Sequence, residues 1–120
     1  MLAVVLESGE PTRLYTALSL LVSSAAEGEP AWGLVSFGAL PRMLDEHLER
    51  SAASLGPTLA RSLGELRETA VELEHCRLWA CAAAVELTGA ERETVDAHLD
   101  GVLSTPQFLR ETAGARLVVV

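Results

Sequence analysis

The chain contains no lysine: all nine of its cationic side chains are arginine. That absence excludes Schiff-base catalysis and the lysine of a phosphate-binding P-loop together. Cysteine is scarce, with Cys76 and Cys81 the only two, and they form no C-x-x-C pair. His47, His75 and His98 are widely spaced and make no H-x-x-x-H, so no metal site is expected. The few aromatics, Trp32, Phe37 and Trp79 among them, lie on or beside apolar runs and read as core or subunit contacts rather than a stacking platform. A net charge of −8 excludes a nucleic-acid surface, because phosphate binding needs clustered cations. No run approaches the roughly 20 apolar residues of a membrane span. The longest soft candidate, "LYTALSLLVSSAA", is too short and too rich in Ser and Thr. "MLAVVLESGE" lacks a basic stretch and meets Glu7 too early for a signal peptide. The cytoplasm is the expected location, and two cysteines there read as thiols rather than a disulfide.

What is present points to one domain. In 120 residues, 49% are apolar and 22% charged, an ordinary globular balance with enough apolar mass for a sizeable core. "LAVVL" (Leu2 to Leu6) is a continuous apolar run, as expected of a strand buried on both faces. After the polar turn "ESGEPT", Leu14, Leu18, Leu21, Val22 and Ala25 recur at helical spacing until Gly28 and Pro30. "AWGLVSF" (Ala31 to Phe37) reads as a second strand, and 42–57 as part helix, part loop. Ser62 and Glu65 match a capping box ahead of the stripe Leu63, Leu66, Ala70 and Leu73. "RLWA" (Arg77 to Ala80) reads as a third strand, followed by a helix from Ala82 to Leu87 that stops at Gly89. "DGVLS" reads as a very short fourth strand, Thr105-Pro106 as a helix start, Gly114 as its stop, and "RLVVV" as the fifth strand. Strand and helix alternate throughout. The expected architecture is therefore α/β: an open sheet of about five mostly parallel strands with helices on both faces and right-handed crossovers.

In such sheets, ligand sites gather beyond the carboxyl ends of the strands. Those ends carry Glu7 and Ser8, Ser36 to Gly38, Ala80 and Cys81, and Ser104 and Thr105. Cys81 is the one strong nucleophile among them, placed where a strand ends and a helix begins, so that free N–H groups and the helix dipole favour its thiolate. Glu7, Ser8, Ser36, Gly38 and Ser104 are the candidate lining residues. No His or Asp adjoins Cys81 in sequence, and His47 reaches it only if 42–57 folds over the strand ends. Cys76 reads as a semi-buried small hydrophobe. An extended strand would hold the two cysteines roughly 16 Å apart, beyond the about 7 Å that a disulfide allows. "ESGEPT" follows a strand as a phosphate loop would, yet holds a single Gly, and Glu7 and Glu10 repel phosphate; no cofactor is expected.

"SLGELRETAVELEHCRLWACAAAVELTG", followed by "VDAHLDGVLSTPQFLRETAGARLVVV", resembles the DsrE/DsrF-like family of small sulfur-relay proteins. The matching features are the Ser-Leu-x-Glu-Leu helix start, Trp79-Ala80-Cys81, Gly89, and Asp100-Gly101-Val102 ahead of a helix and an apolar last strand. The likeness is clearest over residues 60–120. It implies a flavodoxin-like fold assembled as a homotrimer or hexamer, with sulfur carried as a persulfide on Cys81 and exchanged with donor and acceptor proteins. Many relatives have Ser three residues after that cysteine, where this chain has Ala84. Two functions follow as expectations: a sulfur carrier acting through Cys81, or a non-catalytic oligomeric module holding a small ligand at the strand ends.

Overall fold

Five strands form the sheet: β1 (Leu2–Leu6), β2 (Ala31–Val35), β3 (Cys76–Cys81), β4 (Gly101–Leu103) and β5 (Arg116–Val119). The computed structural model describes residues 1–120. Every pairing is parallel, and the order across the sheet is β4-β3-β2-β1-β5. Between the strands run α1 (Pro11–Ala26), α2 (Leu40–Met43), α3 (Leu48–Ser51), a 3-10 turn at Ala53–Leu55, α4 (Pro57–Glu72), α5 (Ala82–Thr88), α6 (Arg92–His98) and α7 (Thr105–Glu111). This is the open parallel α/β sheet read from the alternation, and it is consistent with the flavodoxin-like fold that the resemblance implies. Its strand order is its own, however: β1 lies between β2 and the last strand, whereas flavodoxin sets its second strand at that edge.

Local chemistry explains the main elements. The Glu10 carboxylate accepts the Thr12 and Arg13 N–H groups and Pro11 follows, so α1 starts capped. Its buried stripe, Leu14, Ala17, Leu18, Leu21 and Ala25, lies on the sheet. There Val4, Gly33 and Leu78 stand in register on neighbouring strands. A Cβ on Gly33 would lie 2.7 Å from Leu78 Cδ2 and 3.1 Å from Leu21 and Leu6, so glycine makes room for three leucines. α4 buries Ala60, Leu63, Arg67 and Ala70. Arg67 donates to the Met43 carbonyl at 3.2 Å and to the Asp45 carbonyl, tying the α2–α3 loop to α4.

Connectivity settles the faces. The connections β1 to β2, β2 to β3 and β3 to β4 all step the same way across the sheet. Right-handed crossovers put their helices on one face, where α1 packs on α4, and Ala97 and His98 of α6 share a cleft with Glu68 and Val71 of α4. The return from β4 to β5 runs the other way, so the same rule carries α7 to the opposite face. There Phe108 and Thr112 are buried.

Several local expectations shift. β2 ends at Val35, leaving Phe37 39% exposed. β3 begins at Cys76, which therefore belongs to the sheet and does not precede it. α4 begins at Pro57 behind Gly56, so Ser62 and Glu65 lie inside the helix and form no capping box. Ser104, not Thr105, caps α7. No helix is long and apolar enough to cross a membrane.

Candidate functional site

Cys81 is both the last residue of β3 and the N-cap of α5, with extended backbone (φ −66°, ψ 124°) and a side chain that makes no capping bond. Its helix stops, as the sequence indicates, at Gly89 in the left-handed conformation. Cys81 pairs in register with Leu103 of β4, and Ala80 with Val35 of β2. Ser36 thus follows on one side of the thiol and Ser104 on the other. The connections leaving β3 and β4 depart to opposite faces of the sheet. Such a switch point opens a crevice outside the strand ends, where open α/β sheets place their ligands. Sequence reading marked all the strand ends; the strand order singles out this one.

The lining candidates divide. Ser104 Oγ accepts the Gln107 N–H at 3.2 Å and Gln107 Oε1 accepts the Ser104 N–H at 3.0 Å. The Ser104 hydroxyl hydrogen is donated to no protein atom. Ser36 is buried, its N–H donating to the Leu6 carbonyl at 2.9 Å and its carbonyl accepting from Leu40 at 2.8 Å. Glu7 and Ser8 lie one strand further out. Both donate their backbone N–H to the Val120 carbonyl, and Ser8 Oγ accepts the Glu10 N–H. Their loop is closed against Gly38: a Cβ on Gly38 would stand 2.7 Å from the Glu7 carbonyl oxygen, and one on Gly9 2.3 Å from the Gly38 carbonyl oxygen. Glu7, Ser8 and Gly38 therefore build a backbone seam beside the site, and Ser36 and Ser104 flank the thiol. His47 opens α3, which packs on α4, and is not brought to Cys81.

The two cysteines are free, and both are buried. They stand at opposite ends of β3, and their odd separation turns them to opposite faces of the sheet. Cys76 lies on the face of Leu78, fully covered. Burial pushes its thiol up to about 12; the Asp100 carboxylate adds to the rise and Arg77 partly offsets it. Cys81 shares its face with Trp79, two residues before it. The Trp79 ring lies against Gly101 and packs tilted on Trp32 at 5.3 Å, and its buried indole N–H has no acceptor. Cys81 itself is 3% exposed.

Beside the thiol's helix lies a shallow groove of about 540 Å³ lined by Phe37, Ala83, Glu86 and Leu87. Leu87 is 76% exposed. Sequence reading missed this groove, although a leucine beside Glu86 and Thr88 near the end of a short helix was its available signal. No group of three or more His, Cys, Asp and Glu side chains is arranged to hold a metal ion. No family model matches the chain, and a search of curated proteins finds no match.

Proposed function

We propose that the chain is a sulfur-relay protein that carries sulfane sulfur as a persulfide on Cys81 and passes it to a partner protein in the cytoplasm. The observation that carries this reading is the position of Cys81, the chain's one thiol at the carboxyl edge of the sheet, at a topological switch point and at a strand-to-helix junction. The sequence resemblance supports it, and supports a homotrimer or hexamer as the working assembly. The step needs no general base and no cofactor. The Cys81 thiolate attacks the outer sulfur of a donor persulfide R–S–SH, the donor's S–S bond breaks, and R–S⁻ leaves as Cys81–S–SH forms. An acceptor thiolate repeats the exchange, with no net oxidation. Seated at 3% exposure, the sulfur is shielded from small thiols, so delivery follows docking of a partner at the strand ends.

That same burial favours the second reading, an oligomeric interaction module whose thiol is packing and whose Phe37–Leu87 groove receives a partner or small apolar ligand. Incubation with a persulfidated sulfurtransferase separates the two. The carrier gains the mass of one sulfur, mapped to Cys81; Cys81→Ser abolishes the gain, because an alcohol is too weakly acidic to attack at neutral pH. Cys76→Ser retains it. Absence of uptake from several donors overturns the carrier and leaves the module.

A further inference from the structure

The geometry points to β5 as an interface strand: two copies of this chain join through it edge to edge, antiparallel about a two-fold axis at Val118, into one continuous sheet. The inference does not depend on any role for Cys81.

The strand's inner side is fully used. Arg116 and Val120 donate their N–H groups to the Met1 and Val5 carbonyls at 3.0 and 2.9 Å, and Val120 accepts from Glu7 at 2.8 Å. Alternation along the strand turns the N–H and C=O of Leu117 and Val119 away from β1, and neither residue has a partner there. An unpaired edge of this kind templates another chain unless charge, proline, a bulge or extreme shortness blunts it. The opposite edge is blunted, since β4 is three residues long. β5 is four residues long, and its pairing with β1 runs on through Val120. It holds no proline or lysine, and its one charge, Arg116, is engaged by Glu29 at 3.1 Å. Leu117 and Val119 are 53% and 65% exposed.

A second copy fits this edge because the edge complements itself. With Leu117 opposite Val119 of the partner, each such pair exchanges both N–H···O=C bonds, and Val118 meets its own copy in the closer, non-hydrogen-bonded pair. Every outward backbone group of Leu117 and Val119 is then satisfied by the same strand. Opposite residues point to the same face, so the side-chain pairs are apolar on both faces. Beside the strand, Leu20 of α1 and Glu27, its C-cap, line a cleft with Val118 and Arg116.

Sedimentation at micromolar concentration tests this, combined with hydrogen exchange of the wild-type protein. The expected mass is an even multiple of the 12.8 kDa chain, a dimer or a two-fold-doubled trimer. Leu117→Pro halves that mass with far-UV dichroism unchanged, because the N–H it removes bonds nothing within the protomer. Val119→Lys halves it as well, so the test stands even if the proline variant fails to fold. In the wild type, the Leu117 and Val119 amides are protected and lose protection on dilution. A monomer or a bare trimer overturns the proposal. So does an even assembly that keeps its mass in both variants, or edge amides that exchange freely at high concentration.

Discussion

Cys76 makes the fold's stability depend on alkaline pH in a way that one substitution removes. Its thiol is fully buried on the helix-covered face of β3, and its proton is held up to about 12 against 9.0 for the unperturbed group. Burial is the main cause, with the Asp100 carboxylate second. Between those two values the unfolded chain releases the proton while the folded chain keeps it. The folded state then binds more protons, and stability falls as pH rises. The contribution is intact below pH 9, declines from there, and is fully lost near pH 12. At pH 10, one unit above the unperturbed value, the loss relative to pH 7 is about 1.4 kcal/mol. Cys76→Ala lowers stability by a fixed amount for the missing sulfur but carries no such dependence. Urea unfolding of both proteins at pH 7 and pH 10, with a phosphine reductant present, measures the gap between them. The gap narrows by about 1.4 kcal/mol at the higher pH. A gap that stays constant would mean that the Cys76 thiol ionises in the folded protein as freely as in the unfolded one, and the burial argument would fail.

Native alkylation followed by peptide mapping labels Cys81 first, because it sits at the strand end where a helix begins, whereas Cys76 is fully buried with its thiol held up to about 12; labelling of Cys76 first or equally would refute the site assignment. Gly33→Ala drives a methyl to 2.7 Å from Leu78 Cδ2 between two further leucines and costs about 1–3 kcal/mol in denaturant unfolding. An unchanged midpoint would show that the leucines yield freely.

Strands and amphipathic helices were legible wherever one kind of side chain decides the element. "LAVVL" can only be buried on both faces, and Gly89 ends α5 because its backbone takes the left-handed conformation (φ 69°). The misses came where a distant partner decides. Ser62-x-x-Glu65 satisfies the local rule for a helix start, yet Gly56-Pro57 upstream starts α4 first and leaves the serine inside. The 42–57 segment owes its shape to Arg67, far along the chain, whose guanidinium gathers the carbonyls of Met43 and Asp45. α6 went unread because "RETVDAH" offers a single buried apolar residue, Val95, too little for a periodicity. At the site, Cys81 was legible as a strand end next to a helix start. That Ser104 rather than Glu7 stands beside it was not, because strand order is a pairing property no local pattern encodes.

That order also decides which side of the sheet remains uncovered. Three connections stack their helices on one face, and the face reached by the single return from β4 to β5 carries α7 alone. On it, Ala3 and Leu34 are buried, Trp32, Trp79 and Val5 are partly covered, and Leu117 and Val119 are largely open. Cys81 shares this face, through its alternation with Trp79. The two thiols of β3 therefore lie on different sides of the sheet, one under three connections and one under a single return, and both are buried. The helices over Cys76 suppress its ionisation, while Cys81 sits at the strand end where the chain changes sides.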